Sequence, residues 1–336
     1  MKFYQYIIIL SAIATGLSSC DKDEYNVLPE DRVIRVNAGV SSMMVKSETI
    51  EITDLSELGL FVENAADSYY SYNNVDVTKT TDATTSTSAW TPSEQMLWKS
   101  ATDPVTVYAY SPYNSQNSSL TDEINLSVCT DQAVAENVKE SDFLYSSSEV
   151  TPSAPVNTNP IYYDQTNSLI NVTLNHKFSK LILSLTLKSE FYSSLGIKDN
   201  PIVSIQIIGT NVNTTFSVKN GFGTLSNPYP VTAYKDPFPV TVFEDPYTPS
   251  ESVKQDAIAQ YECILIPQTV SNLSVKIYLS NNDVFIWKDE TALTLESQNK
   301  YTLPLTVGKD VITLSSDAGI SVEDWDFIAP STIETE

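Results

Sequence analysis

Histidine is almost missing from this chain: among 336 residues there is one, His176. A single imidazole with no local motif around it assembles no Ser-His-Asp arrangement. It sits before an expected strand, in NHKFSKLIL, and reads as a structural residue at a strand end or domain junction. H-E-x-x-H, C-x-x-C, P-loop and G-x-G-x-x-G patterns are absent, and glycine numbers only nine. Zinc-protease, redox, nucleotide and dinucleotide chemistry therefore have no signature here. The calcium loop D-x-[DN]-x-[DN]-G is missing as well. Arginine is equally scarce: of 19 basic residues only Arg32 and Arg35 carry a guanidinium. Set against 42 acidic residues, they leave a net charge of −23, which argues against nucleic acid or an anionic membrane as a partner. Paired carboxylates for glycoside hydrolysis remain open on charge count alone. The acidic residues cluster in loops and termini, however, as a solvated surface would, so no catalytic residue, cofactor or metal is expected.

Long apolar runs are also missing beyond residue 20, where nothing reaches the ~20 residues that cross a bilayer. The N-terminus is different. MKFYQYIIILSAIATGLSSC has a lysine at position 2, a short apolar stretch from Tyr6 to Ala14 and small residues leading to Cys20, the layout of a secretory signal. Leu17-Ser18-Ser19-Cys20 resembles a bacterial lipobox, which implies lipid modification of Cys20 as the first mature residue and stable anchoring. Asp21, Lys22, Asp23 and Glu24 follow and resemble the acidic signal that exports Bacteroidetes lipoproteins to the outer face of the outer membrane. The remaining cysteines, Cys129 and Cys263, fall in different expected domains and read as two small buried thiols rather than a disulfide.

Ser, Thr, Asn, Tyr and Val dominate and only 18% of residues are charged, a composition for strands and turns. Period-two alternation marks strands at Arg32–Val36, Leu58–Val62, Pro104–Tyr110, Leu169–Leu174, Lys180–Lys188, Ile202–Ile208, Thr214–Val218, Tyr261–Ile266, Leu273–Leu279, Val284–Trp287, Tyr301–Val307 and Val311–Leu314. Residues 63–89 read as a polar loop with a hairpin, and residues 132–140 as a turn or two of helix. The chain is expected to be all-β, with too many residues for one small core. The divisions expected are a signal at 1–20, an N-terminal sandwich at 21–168, and a C-terminal sandwich at 169–336. The boundary follows the Pro-, Asn- and Thr-rich stretch. Tyr69, Tyr70 and Tyr72 form a candidate exposed aromatic patch, although strand cores and edges use tyrosine heavily too.

Several segments together resemble the fimbrillin-like proteins of Bacteroidales. They are Trp98 with Val105–Tyr113, Ser141–Tyr145, Asn175–Leu181, Ile264–Gln268, Lys300–Val307 and the ending Ile320–Trp325, in order behind the lipobox. The resemblance implies two transthyretin-like β-sandwich domains in tandem. It also implies a lipidated precursor, trimmed after a basic residue near the first strand and polymerised when a neighbour's strand fills the vacated groove. Arg32 and Arg35, both in the first expected strand, are the candidate cleavage sites. The candidate donor lies in Val311–Trp325, where Ile312 and Leu314 project to one side and Val311, Thr313 and Ser315 to the other. Partners would be other fimbrial subunits, the outer membrane through lipid, and a host or bacterial surface ligand. The competing reading is a surface glycan-binding lipoprotein of a polysaccharide-utilisation system, which would share the lipobox, acidity and aromatic content.

Overall fold

The computed structural model describes residues 32–41, 55–81, 88–147, 161–163, 168–188, 201–235, 257–308, 310–315 and 319–325. Cys20 and the acidic run Asp21, Lys22, Asp23 and Glu24 lie outside them. Among the described residues the architecture is all-β, with one short α-helix and a 3-10 turn at Ser68–Tyr70.

The first sheet has seven strands: β1 (Arg35–Val40), β2 (Glu57–Glu63), β3 (Tyr72–Thr81), β4 (Ser88–Pro92), β5 (Thr106–Ser111), β7 (Leu144–Ser147) and β8 (Leu169–His176). Their order is β1-β8-β7-β5-β2-β3-β4. The strands form because apolar side chains alternate. In β8, Ile170, Val172 and Leu174 are buried while Asn171 and Thr173 are exposed, so one face meets a core and the other meets water. β1 runs parallel to β8 from Arg35↔Leu169 to Val40↔Leu174. The sheet curls until its edges meet, and the Trp90 indole N–H of β4 donates to the Ala38 carbonyl of β1 at 3.0 Å. Inside lie Leu58, Leu60, Val77, Trp98 and Leu174.

Across Lys177 and Phe178 the chain passes to a second body. One of its sheets contains β10 (Ile202–Ile208), β14 (Val231–Thr232), β18 (Ser274–Leu279) and β19 (Val284–Lys288) in the order β14-β10-β18-β19. The facing sheet runs β15 (Tyr234–Lys235), β16 (Ala257–Leu265), β9 (Ser179–Leu187), β21 (Asn299–Val307) and β22 (Ile312–Leu314). β23 (Ser321–Asp324) pairs further along the same edge of β21. Leu181, Leu183, Leu185 and Leu187 of β9 and Ile205, Ile207, Val275 and Ile277 of the facing sheet are buried in one core. Full burial of each such side chain contributes roughly 1.5–3 kcal/mol. Two smaller ladders flank it. β17 (Gln268–Val270) pairs with β20 (Leu293–Leu295). β11 (Asn211–Ser217) pairs with β12 (Gly221–Phe222) and β13 (Ser226–Pro228).

The two bodies share structure. β6 (Glu123–Ser127), from the first half of the sequence, pairs antiparallel with β11. The helix α1 (Ala135–Glu140) follows it and buries Val138 in the second core. The Gln132 amide donates to the Ile264 carbonyl and accepts from the Ile264 N–H, both at 2.8 Å. Phe143 contacts Tyr110, Phe178 and Phe216, the last at a 4.8 Å centroid separation, an aromatic chain of the kind that adds energy beyond its buried area. Residue 168, where the sequence places a domain boundary, immediately precedes β8, and β8 belongs to the first sheet. After the excursion of β6, the chain leaves the first sheet for good only after His176. The Pro-rich stretch before 168 therefore connects two strands of one sheet, since turn chemistry marks a connection without saying which sheets it joins.

Cys129 is half-buried, Cys263 is buried, and both are free. Burial, with Glu262 beside it, pushes the Cys263 thiol well above its ordinary value. An alkylating reagent at neutral pH should modify Cys129 first and Cys263 only on unfolding, because thiolate character and exposure govern reactivity. Mass mapping checks this; equal labelling of both in the native protein would contradict the burial.

Candidate functional site

The chain's two arginines flank a change of partner. Residues 32–34 lie along Met96–Trp98: the Trp98 N–H donates to the Arg32 carbonyl at 2.8 Å, and the Ile34 N–H donates to the Met96 carbonyl at 2.9 Å. From Arg35 onward the strand pairs with β8 instead, and the Arg35 N–H donates to the Ser168 carbonyl at 3.0 Å. The sequence places the first strand at Arg32–Val36, whereas β1 begins at Arg35 and runs to Val40. Ile34, Val36, Ala38 and Val40 alternate inward and Arg35, Asn37 and Gly39 outward, so the period continues while the partner changes. A cut after Arg35 thus leaves Val36–Val40 on the downstream chain.

The two guanidinium groups are placed differently. Arg35 is exposed. Arg32 donates from Nε to the Trp98 carbonyl at 2.9 Å, from Nη2 to the same oxygen at 2.7 Å, and from Nη2 to the Lys99 carbonyl at 3.0 Å. Its Cζ lies 5.3 Å from the Tyr70 ring centroid, within cation–π range.

That contact takes up part of the candidate aromatic patch. Tyr69 is 83% exposed, but Tyr70 covers Arg32. The Tyr72 hydroxyl accepts from the Leu97 N–H at 2.8 Å, and burial raises its phenol above the ordinary value. The Tyr69 and Tyr70 rings meet at 79°, so they offer no flat platform.

The C-terminal segment forms the second part of the site. β22 and β23 lie end to end along the outer edge of β21. Pro304 of β21 sits where one gives way to the other, since its ring nitrogen has no proton to donate to a ladder. Ile312 lies opposite Val307, and Leu314 opposite Leu305. Both therefore share the core-facing side, while Thr313 shares the other with Thr306. Ile312 is half-buried and Leu314 is 38% exposed; Val311 and Val322 are more exposed still. The candidate donor thus docks on its own sheet with much of its apolar surface in water.

Its anchor is Trp325, which local pattern alone did not single out. The Trp325 N–H donates to the Gln298 carbonyl at 2.6 Å. Its ring stacks on His176 at 4.2 Å and 4°, and Lys180 Nζ stands 5.7 Å from it. His176 Nδ1 is 2.7 Å from Asp142 Oδ2. The one histidine therefore ends β8 at the junction of the two bodies, held by a carboxylate and covered by the C-terminal tryptophan. Lys180 in turn pairs with Glu262 at 3.0 Å, both side chains almost wholly buried. Among the described residues no group of His, Cys, Asp and Glu could hold a metal ion.

The fold has relatives among solved structures. A protein of Bacteroides uniformis assigned to cell adhesion superposes with a TM-score of 0.56 at 15% identity, covering 88% of this chain and 99% of its own. One of Bacteroides ovatus, likewise assigned to cell adhesion, gives 0.57 at 16%, covering 88% and 98%. A fimbrial protein of Bacteroides vulgatus gives 0.51 at 14%, covering 88% and 100%. At such identities these likenesses concern the fold alone. No curated protein matches the sequence. The sequence profile described as fimbrillin-like matches residues 42–325, most of the chain and nearly all of the described structure, and the chain therefore belongs to the fimbrillin-like family.

Proposed function

We propose that this chain is a structural, non-catalytic subunit of a surface pilus, exported as a lipoprotein and joined to its neighbours by strand exchange. The observation that carries the reading is the placement of both arginines where the first segment passes from Met96–Trp98 to β8. A cut after Arg35 would leave β1 with a free N-terminus at Val36, tethered at its other end only. Such an edge strand can be peeled from β8 and its inward positions filled by a neighbour's residues, so displacement of β1 takes the role of its removal. Completing an edge ladder satisfies backbone groups, and alternating apolar side chains supply specificity. Ile312 and Leu314 of a neighbouring subunit are the proposed anchors, two buried aliphatic side chains contributing roughly 1.5–3 kcal/mol each.

Lipidation of Cys20 and export directed by Asp21, Lys22, Asp23 and Glu24 complete the proposal and place the subunit on the outer membrane. The pilus partners are further fimbrial subunits, with a host or bacterial surface ligand at the fibre. We also propose two β domains, the first closing with β8 and the second opening with β9. On cells, the Arg32→Ala/Arg35→Ala double variant should remain lipidated and exposed yet form no high-mass polymer on non-boiled gels. Wild-type polymer levels in that variant would defeat processing at the arginines. Cys20→Ala should lose fatty-acid labelling, and unchanged labelling would defeat the lipid anchor. Glycan binding is the weaker reading, because the aromatic patch it would use is taken up by Arg32 and Leu97.

A further inference from the structure

We infer that Arg32 is an anchor that keeps the processed N-terminal segment seated, and that Arg35 is the residue a protease reads. The inference rests on the reading that an arginine-specific protease trims this chain. Such a protease must draw the guanidinium into its own acidic pocket. Arg35 presents an exposed side chain at the point where the backbone leaves one partner for another. Arg32 is half-buried and would have to surrender three hydrogen bonds to the Trp98 and Lys99 carbonyls and its seat over Tyr70.

Those same contacts do not depend on the bond between Arg35 and Val36. After a cut there, the fragment ending at Arg35 keeps its two ladder bonds to Met96 and Trp98. It also keeps Ile34, buried at 2% exposure, and the guanidinium clamp. Hydrogen bonds from a charged donor to partly buried carbonyls are among the stronger ones. Cleavage alone therefore does not vacate the place beside Met96–Trp98. The segment stays as a bound peptide until it is displaced, and Arg32 sets how readily that happens. Arg32 is a positioning residue, separate from the scissile one three positions on.

The test uses the full mature chain and an arginine-specific protease, followed by intact-mass analysis of the folded peak from gel filtration. In the wild type, cleavage after Arg35 should outpace cleavage after Arg32 by roughly tenfold or more, and the fragment should co-elute with the body. Arg32→Ala should still be cut after Arg35 but lose its fragment at least about tenfold faster. Arg32→Lys should fall between, since an ammonium offers a point charge without the planar fork. Hydrogen exchange on the uncut chain gives an independent readout. The Trp98 and Ile34 amides should exchange faster in Arg32→Ala than in Arg35→Ala. Equal protection in the two variants would overturn the anchor, as would equal cleavage at both arginines or unchanged fragment retention. If neither arginine is cut while the exchange effect holds, the processing reading falls and the anchor stands.

Discussion

Glu262→Ala should destabilise the folded chain by about 3–5 kcal/mol, the penalty for leaving the opposite charge of a buried pair without its partner. Lys180 faces Ile264 and Glu262 faces Ile182 across the β9–β16 ladder, so the pair is diagonal on one face. Their side chains are 3% and 4% exposed, and water cannot take over the role of the lost carboxylate. A Lys180→Met/Glu262→Leu double variant should recover most of the loss, because replacing both charges by apolar groups of similar volume is often neutral. Denaturant titration of the single and double variants gives the comparison. A loss under about 1 kcal/mol for Glu262→Ala would mean that Lys180 reaches solvent or another acceptor when its partner is removed.

Trp98→Ala should cost a comparable 3–5 kcal/mol or so. Trp98 is 1% exposed and meets Tyr163 edge to face at 5.8 Å. Its backbone is the strip along which Arg32 lies, so collapse of the cavity should also loosen the N-terminal segment. Trp98→Phe should be far milder, under about 1.5 kcal/mol, since it keeps most of the ring volume and removes an indole N–H that has no acceptor. Equilibrium unfolding distinguishes the two. Equal losses would place the energy in the lost indole ring's specific contacts rather than in the cavity.

Strand positions were largely readable from alternation. Ile202–Ile208 is β10 to the residue, and Lys180–Lys188, Leu273–Leu279 and Tyr301–Val307 differ from β9, β18 and β21 by a residue or two. The short helix falls within 132–140 as expected. Partnership was not readable. β1 joins β8, and β9 joins β21, in parallel, and period two says which face is buried without saying against what. For the same reason the sheet that β8 joins was not readable, and the segment Arg32–Ile34 looked like part of β1. Lys180 and Glu262 look like surface residues in a strand pattern; only the fold over them makes them a buried pair. The C-terminal tryptophan stood out through family resemblance, and its contact with His176 depends on geometry between residues far apart in the chain.

The parallel pairing of β1 with β8 has a kinetic consequence. Asn37 and Asn171, joined by a side-chain hydrogen bond across that pair, are 134 residues apart, and the Gln132–Ile264 exchange spans 132. Contacts this distant demand that long loops be closed before any energy is returned, which slows folding. A chain emerging N-terminus first carries β1 without its partner until His176 has followed. β9 then waits for β21, and the His176 ring for Trp325, the last of the described residues. The native state is therefore completed late, and an unfinished chain has edges with nothing to pair with.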